Sequence, residues 1–188
     1  MIAPREHTIV ISPISDLDAD TALLDRVGRE VDRVFGFQTE VVTLLEERDL
    51  HLDEVRMQYH STPILEKLSA LAPPKAIKVL AITKVDLFIP ILTHVYGEAQ
   101  LGGKACIISI HRLNEGLSSR LITETYHHRI VKEAIHELGH TFKLRHCRDQ
   151  TCIMHYCHSV KDVDRKSNQL CRYCKILLDD EIKKLAGK

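Results

Sequence analysis

HELGHTFKLRHC, at residues 136–147, is the most informative segment of this 188-residue sequence. If it begins on a helix, His136 and His140 lie on one face, one turn or about 5.4 Å apart, which suits two imidazoles binding a single Zn²⁺. Glu137 is one position on, where it can hold and deprotonate a zinc-bound water. His146 supplies a third ligand if the helix stops near residues 141–143 and the chain folds back. Three histidines would leave one coordination position open, as a catalytic zinc requires.

The alternative is an ordinary amphipathic helix that carries these residues by coincidence. At helical spacing, one side is apolar and consists of Ile130, Val131, Ala134, Ile135 and Leu138. His136 and His140 fall almost opposite this stripe, near Arg129 and Glu133. The pattern argues against core histidines and leaves exposed polar residues as the competing interpretation. The spacing of His146 and the cysteines that follow favour zinc.

The full segment resembles the archaemetzincins, a family of metzincin-type zinc peptidases. The family pattern is HExxHxxGxxHC, four residues, Cys-x-Met, a spacer and Cys-x-x-Cys. It matches His136, Glu137, His140, His146, Cys147, Cys152, Met154, Cys171 and Cys174. Two departures stand out: Lys143 replaces the usual glycine, and the spacer between Met154 and Cys171 is one residue shorter than usual. The motif match is confined to this segment.

The resemblance implies a zinc-dependent peptidase that hydrolyses peptide bonds of a peptide or protein substrate. Glu137 would take a proton from the zinc-bound water and deliver it to the leaving amine. Met154 would form a tight turn beneath the zinc without ligating it, and the alternative for Met154 is a simple core residue. Tyr156 is a possible contact to the tetrahedral intermediate, with an exposed or a packing residue as its alternative.

A second zinc site is predicted from the cysteines. Cys147, Cys152, Cys171 and Cys174 can supply four thiolates to a structural zinc with no open position. The resemblance favours this set, giving two zinc ions per chain. Cys157 is the alternative fourth ligand, and His155 and His158 are further possible ligands.

Lys143 occupies the position at which the chain leaves the helix, often with positive φ. A lysine adopts that conformation at a cost of about 1–2 kcal/mol. The two interpretations are a tolerated strain and a lost third ligand. Because Cys147 follows His146 directly, we expect the cysteine site to help hold this turn in place.

Composition excludes several classes of protein. Lysine plus arginine and aspartate plus glutamate both total 26, so the charge balance points neither to nucleic acid nor to an acidic membrane surface. No apolar run reaches membrane-spanning length, and residues 1–6 are too polar for a signal peptide. We therefore expect a cytoplasmic protein whose cysteines bind metal rather than form disulfides. The sequence leaves the oligomeric state undetermined.

The order of predicted elements indicates an α/β fold. Strands are predicted at residues 8–11, 37–45 and 77–82, with helices at 20–35 and 62–71 between them. This alternation predicts a mixed twisted sheet with right-handed crossovers and helices packed on it. We expect one metzincin-like domain over residues 1–188, in which residues 1–141 form the sheet and helix part. Residues 142–188 would form an irregular, zinc-stapled part that ends in a helix from about residue 175.

Residues 105–110 are predicted as a strand, and residues 123–141 as the zinc helix, capped by Thr123 or Ser119. By resemblance, the strand at 105–110 is the edge strand that would pair with an extended substrate. An ordinary central strand is the alternative. Two further function classes stay open: a zinc-binding protein with this fold but little or no peptidase activity, and a small redox or metal-handling module.

Overall fold

The computed structural model describes residues 7–17, 20–118 and 122–186. Its strands are β1 (Thr8–Pro13), β2 (Thr39–Val41), β3 (Leu52–Asp53), β4 (Gln58–His60), β5 (Ala76–Thr83), β6 (Leu87–Phe88), β7 (Gly97–Ala99) and β8 (Ala105–Ser109). Its α-helices are α1 (Thr21–Phe35), α2 (Ser61–Leu71), α3 (Ile122–Thr141), α4 (Val160–Arg165) and α5 (Arg172–Ala186). A short 3₁₀ turn spans Glu47–Asp49.

The main sheet has the order β2-β1-β5-β8-β7, and all its neighbours are parallel except the pair β7 and β8. Helices α1 and α3 cover one face and α2 covers the other, so β1, β5 and β8 are buried on both faces. Burial on both faces explains why these strands read as nearly continuous apolar runs. The predicted α/β class is confirmed.

The helix predicted at residues 20–35 is confirmed together with both of its ends. Asp20 accepts a hydrogen bond from the Leu23 N–H at 3.1 Å, and Gly36 ends the helix in the left-handed conformation with φ 71°. Only Thr39–Val41 of the strand predicted at 37–45 is extended and paired. Thr123 lies inside α3 rather than at its cap, and Ser119 lies outside the described residues.

The prediction that residues 105–110 form the sheet edge is wrong. This segment is β8, which lies between β5 and β7, and its five residues are all buried. The edge strand is β7, a three-residue antiparallel strand within a segment that carried no strand pattern. Its pairing depends on residues that follow it in the chain, so its own composition gives no signal. A small second sheet, β3-β4-β6, also lies in segments without a periodic pattern.

The face of α3 opposite the apolar stripe is also buried, contrary to the interpretation that it faces solvent. Arg129, Glu133 and His136 are all buried there. The C-terminal part covers this face and supplies charge partners, since Arg129 pairs with Asp164 at 2.7 Å and Glu133 with Lys166 at 2.8 Å. Charged residues become tolerable in such a position when they are paired.

Candidate metal and catalytic site

Three imidazoles converge at the end of α3. The possible ligand atoms of His136, His140 and His146 all lie within 4.8 Å of one another, and the Nε2 atoms of His136 and His140 are 3.1 Å apart. Nδ1 of His136 donates to the Ile153 carbonyl at 2.8 Å, and Nδ1 of His140 donates to the Leu144 carbonyl at 2.7 Å. These bonds fix both rings and leave the Nε2 lone pairs directed at a common point, as metal-binding histidines require.

The pKa values of the three histidines suit metal binding. Burial lowers the pKa of His136 well below its ordinary value and also lowers the pKa of His140. Partial desolvation and the neighbouring His140 lower the pKa of His146 to about 4, although part of this ring faces solvent. All three rings are therefore neutral at pH 7, which is the protonation state that binds Zn²⁺.

The turn after α3 brings His146 to the other two histidines despite the lysine. The Lys143 N–H donates to the His140 carbonyl at 2.9 Å, and the Leu144 N–H donates to the Gly139 carbonyl at 3.0 Å, which is a helix end of the Schellman type. Lys143 has φ 64°, so it takes the left-handed conformation that a glycine would take without strain. Its ammonium lies 2.9 Å from Glu181 on α5, which ties the turn to the C-terminal helix.

Glu137 is buried beside the histidines, at 6% exposed. Burial raises the pKa of its carboxyl group well above the ordinary value, Glu133 raises it further, and Lys166 opposes both. The side chain lies directly against Gly97 of β7, where an added Cβ would be 2.6 Å from the Glu137 Cγ. Only glycine at position 97 leaves room for the carboxyl group in this position.

Met154 lies in a turn that packs against α3. Its carbonyl accepts a hydrogen bond from the Cys147 N–H at 2.9 Å, and its side chain is fully buried. Its sulfur packs against Gly139, where an added Cβ would be 2.5 Å from Sδ. The preceding carbonyl, of Ile153, is the one that orients His136. Met154 is thus both a core residue and part of the turn that holds a histidine.

Four thiols form a second cluster next to the first. The Sγ atoms of Cys147, Cys152, Cys171 and Cys174 all lie within 4.8 Å of one another. Cys147 and Cys171 are separated by 3.8 Å between Sγ atoms. A tetrahedral zinc with Zn–S bonds of about 2.3 Å separates its sulfurs by about 3.8 Å, so this donor set fits the ion. The Cys171 N–H donates to the Cys152 Sγ at 3.3 Å, a contact that also suits a thiolate.

The alternative ligands lie elsewhere. Cys157 lines the cleft beside the histidines, and burial raises the pKa of its thiol to about 11. His155 donates through Nδ1 to the Cys147 carbonyl at 2.9 Å, so it supports the cluster without joining it. The rings of His158 and Tyr156 meet edge to face at 4.6 Å, and Tyr156 also meets His146 at 4.8 Å. Tyr156 is 40% exposed and lines the cleft, so it packs on His146 while its side chain also faces the space beside the histidines.

The histidines and Glu137 form the floor of a cleft of about 450 Å³. One wall is the strand β7 with the chain that leads into it, and the other wall follows the Met154 turn. Sequence reasoning missed Gly97, Glu133 and Lys166, which all line this cleft. Glu133 lies one helical turn before Glu137, and this spacing is a sequence signal that the two side chains lie on the same face of α3. The partner of Glu133 is 33 positions away, and no local signal connects the two.

The sequence model of a protein family, described as Peptidase family M54, matches residues 23–180 of the chain. The chain is 35% identical over 162 residues to an archaemetzincin of Archaeoglobus fulgidus, an alignment that covers 86% of this chain and 94% of that protein. An archaemetzincin of Methanocaldococcus jannaschii is 34% identical over 175 residues and aligns over 92% of this chain and 93% of its own length.

Solved structures agree in fold. The crystal structure of archaemetzincin from Methanopyrus kandleri superposes with a TM-score of 0.80 at 32% identity, over 97% of this chain and 99% of that one. A zinc-dependent peptidase from Methanocorpusculum labreanum gives a TM-score of 0.78 at 27% identity, over 90% of this chain and 99% of that one. In the described ranges, no helix has both the length and the apolar character needed to cross a bilayer.

Proposed function

Because the chain belongs to peptidase family M54, the archaemetzincins, and is thus a zinc metallopeptidase, we propose specific roles for its site residues. His136, His140 and His146 hold the catalytic zinc, and Glu137 is the general base. The observation that carries this proposal is the convergence of three neutral imidazoles beside a buried carboxyl group. The redox-module alternative explains neither the histidines nor the glutamate.

Zn²⁺ bound by the three histidines would act as a Lewis acid that acidifies water and polarises a scissile carbonyl. Glu137 accepts the proton of the attacking water and passes it to the leaving amine. Burial raises the pKa of this carboxyl group, and the positive charge of a bound Zn²⁺ would oppose that shift and favour the carboxylate that accepts the proton. Gly97 permits the close approach of Glu137 to the strand along which the substrate lies.

An extended peptide would bind along β7. The backbone N–H of Ser109 donates to the Tyr96 carbonyl at 2.8 Å, and the backbone N–H of Gln100 donates to the Ala105 carbonyl at 3.0 Å. In an antiparallel ladder the hydrogen-bonded positions alternate, so the backbone groups of Gly97 and Ala99 point away from β8. They point toward the cleft, which both residues line. A substrate strand can add its own hydrogen bonds to this edge.

The four-cysteine cluster binds a second, structural zinc. Cys147 and Cys152 follow α3, whereas Cys171 and Cys174 lie at the start of α5. The site therefore joins the two ends of the segment 152–171 within the C-terminal part, residues 142–188. One domain over residues 1–188, with this zinc stapling its C-terminal part, is the organisation we propose. A metal can replace the apolar core that so short a part cannot build.

Metal content and peptide cleavage test this proposal together. We expect two zinc ions per chain in both the wild type and Glu137→Gln, with cleavage of a mixed peptide library by the wild type alone. A single zinc per chain would contradict the two-site assignment. Equal cleavage by both proteins would contradict the role of Glu137. Two zinc ions without cleavage by the wild type would favour a zinc-binding protein that lacks peptidase activity.

A further inference from the structure

Two short loops, one of which lines the cleft through Leu92, carry unusually exposed apolar side chains. Among the described residues, Val55 (97% exposed) and Ile91 (86%) are the most exposed of the large apolar side chains. Met57 (67%) lies two residues after Val55, and Leu92 (39%) directly follows Ile91. Single exposed apolar residues are common on protein surfaces, but a group of four at one place is characteristic of an interaction site. We call these four residues the apolar rim.

The two loops are fastened to each other. Arg56, between Val55 and Met57, donates to the Leu92 carbonyl at 2.6 Å, and its guanidinium lies over the Phe88 ring at 4.2 Å. Gln58 donates to the Thr93 carbonyl at 3.0 Å. A buried or half-buried arginine with several acceptors holds both backbones in one arrangement. The apolar rim is therefore a single preorganised surface.

The exposure of these side chains is maintained by local structure. The Asp53 carboxylate accepts hydrogen bonds from the backbone N–H groups of Val55 at 3.0 Å and Arg56 at 2.9 Å. Met57 has φ 54°, a left-handed conformation that costs a non-glycine residue energy. Its N–H donates to the Asp53 carbonyl at 2.7 Å. Strain of this kind persists where the surrounding structure imposes it, and it collects at functional positions.

The apolar rim is continuous with the cleft. Leu92 lines the cleft together with Thr93 and Val95, and two residues later the chain enters β7. A polypeptide bound along β7 that continues beyond Gly97 toward Val95 would reach the apolar rim at Leu92. We propose that the apolar rim binds apolar side chains of an extended polypeptide substrate, at substrate positions beyond those held next to the histidines. This proposal rests on the proposed peptidase function. The protein would thus select stretches rich in leucine, isoleucine, valine or phenylalanine.

Binding by a catalytically inactive form separates this proposal from the peptidase activity. In the Glu137→Gln background, fluorescein-labelled peptides that carry an apolar cluster at either end are compared with versions in which the cluster is serine. We expect about tenfold tighter binding of one apolar-ended peptide, since burying an aliphatic side chain contributes on that scale. The double variant Val55→Ser/Ile91→Ser should lose this preference.

The matched control is Val41→Ser/Leu71→Ser, which removes two apolar side chains that are each 50% exposed. Val41 lies on β2, the opposite edge of the main sheet, and Leu71 ends α2. The control should keep the tenfold preference. The proposal is overturned if the rim variant keeps the preference, if the control loses it equally, or if no peptide binds.

A second copy of this chain is the competing occupant. Sedimentation at increasing concentration shows a monomer if the rim binds substrate, and a dimer that Val55→Ser/Ile91→Ser abolishes would overturn the proposal. Should the wild type cleave no peptide while the tenfold preference survives, the proposed catalytic function fails and the apolar rim stands.

Discussion

Replacing Gly97 with alanine would test whether the edge strand positions the catalytic glutamate. The new Cβ would lie 2.6 Å from the Glu137 Cγ, 2.9 Å from its Cδ and 2.8 Å from the Ile107 carbonyl oxygen. The carbonyl belongs to the neighbouring strand β8 and cannot move without breaking the sheet pairing. Residue 97 must therefore shift slightly away from β8, and the glutamate side chain must be displaced by about 1 Å to restore an ordinary contact.

Such a displacement is costly for catalysis. Misplacing a catalytic group by about 1 Å lowers rate by about 100-fold, which corresponds to about 2.7 kcal/mol in the activation free energy. We expect kcat/KM of Gly97→Ala to fall by that factor on any peptide that the wild type cleaves. Zinc content should stay at the wild-type value, because the three atoms nearest the new Cβ belong to Glu137 and Ile107 and not to a histidine.

Two comparisons make the result specific. Gly116→Ala places an alanine where φ is positive, 73°, a strain that Gly97→Ala does not introduce, but the new Cβ meets no atom within 4 Å, so this variant should leave kcat/KM unchanged. Because Glu137→Gln should not cleave, that background is compared by peptide binding. Gly97→Ala should leave the affinity of Glu137→Gln for a labelled peptide nearly unchanged, since the expected defect lies in the position of the glutamate. The reasoning is refuted if Gly97→Ala keeps kcat/KM within about threefold of wild type, or if it weakens peptide binding by Glu137→Gln by the same factor as it lowers kcat/KM.

Three further substitutions test how the site is supported. Cys171→Ser should remove the proposed structural zinc, lower Tm and weaken zinc binding by the histidines, whereas the Cys157→Ser protein should keep both zinc ions. Metal analysis and chelator titration measure both outcomes, and unchanged zinc affinity at the histidines after Cys171→Ser would disprove the coupling between the two sites. Lys143→Gly should be more stable than Lys143→Ala by about 1 kcal/mol in urea unfolding, since both lose the side chain and only glycine relieves the left-handed strain; equal stability would argue against strain. Lys166→Met leaves the buried carboxylate of Glu133 without its partner and should lower the free energy of unfolding by about 3–5 kcal/mol, most of which Glu133→Gln should restore. A loss of stability that the second substitution does not restore would show that Lys166 contributes packing and not charge.

The sequence could predict those features that depend on local patterns. The strand at residues 77–82 and helix α1 were recognisable from apolar runs and helical periodicity, because each buries a regular face. The histidines of α3 follow from a spacing of one helical turn. His146 and the four cysteines required the motif as a whole, and the structure brings both groups together as that motif implies.

Features that depend on distant residues could not be predicted. Strand β7 is three residues long and includes a glycine, so it has no periodicity, and only its pairing with β8 defines it. The polar face of α3 reads as solvent-exposed because the residues that cover it, among them Asp164 and Lys166, lie far along the chain. A helical wheel contains no information about such partners.

The two clusters of metal-ligating residues are joined by a short series of backbone contacts. Cys147 directly follows His146, and its N–H donates to the Met154 carbonyl at 2.9 Å. The residue before Met154 supplies the carbonyl that orients His136. A metal that fixes Cys147 and Cys152 therefore fixes, within a few bonds, both a histidine ligand and the hydrogen-bond partner of another. We therefore expect a metal at the cysteines to hold this turn at its far end and so to offset the local strain at Lys143.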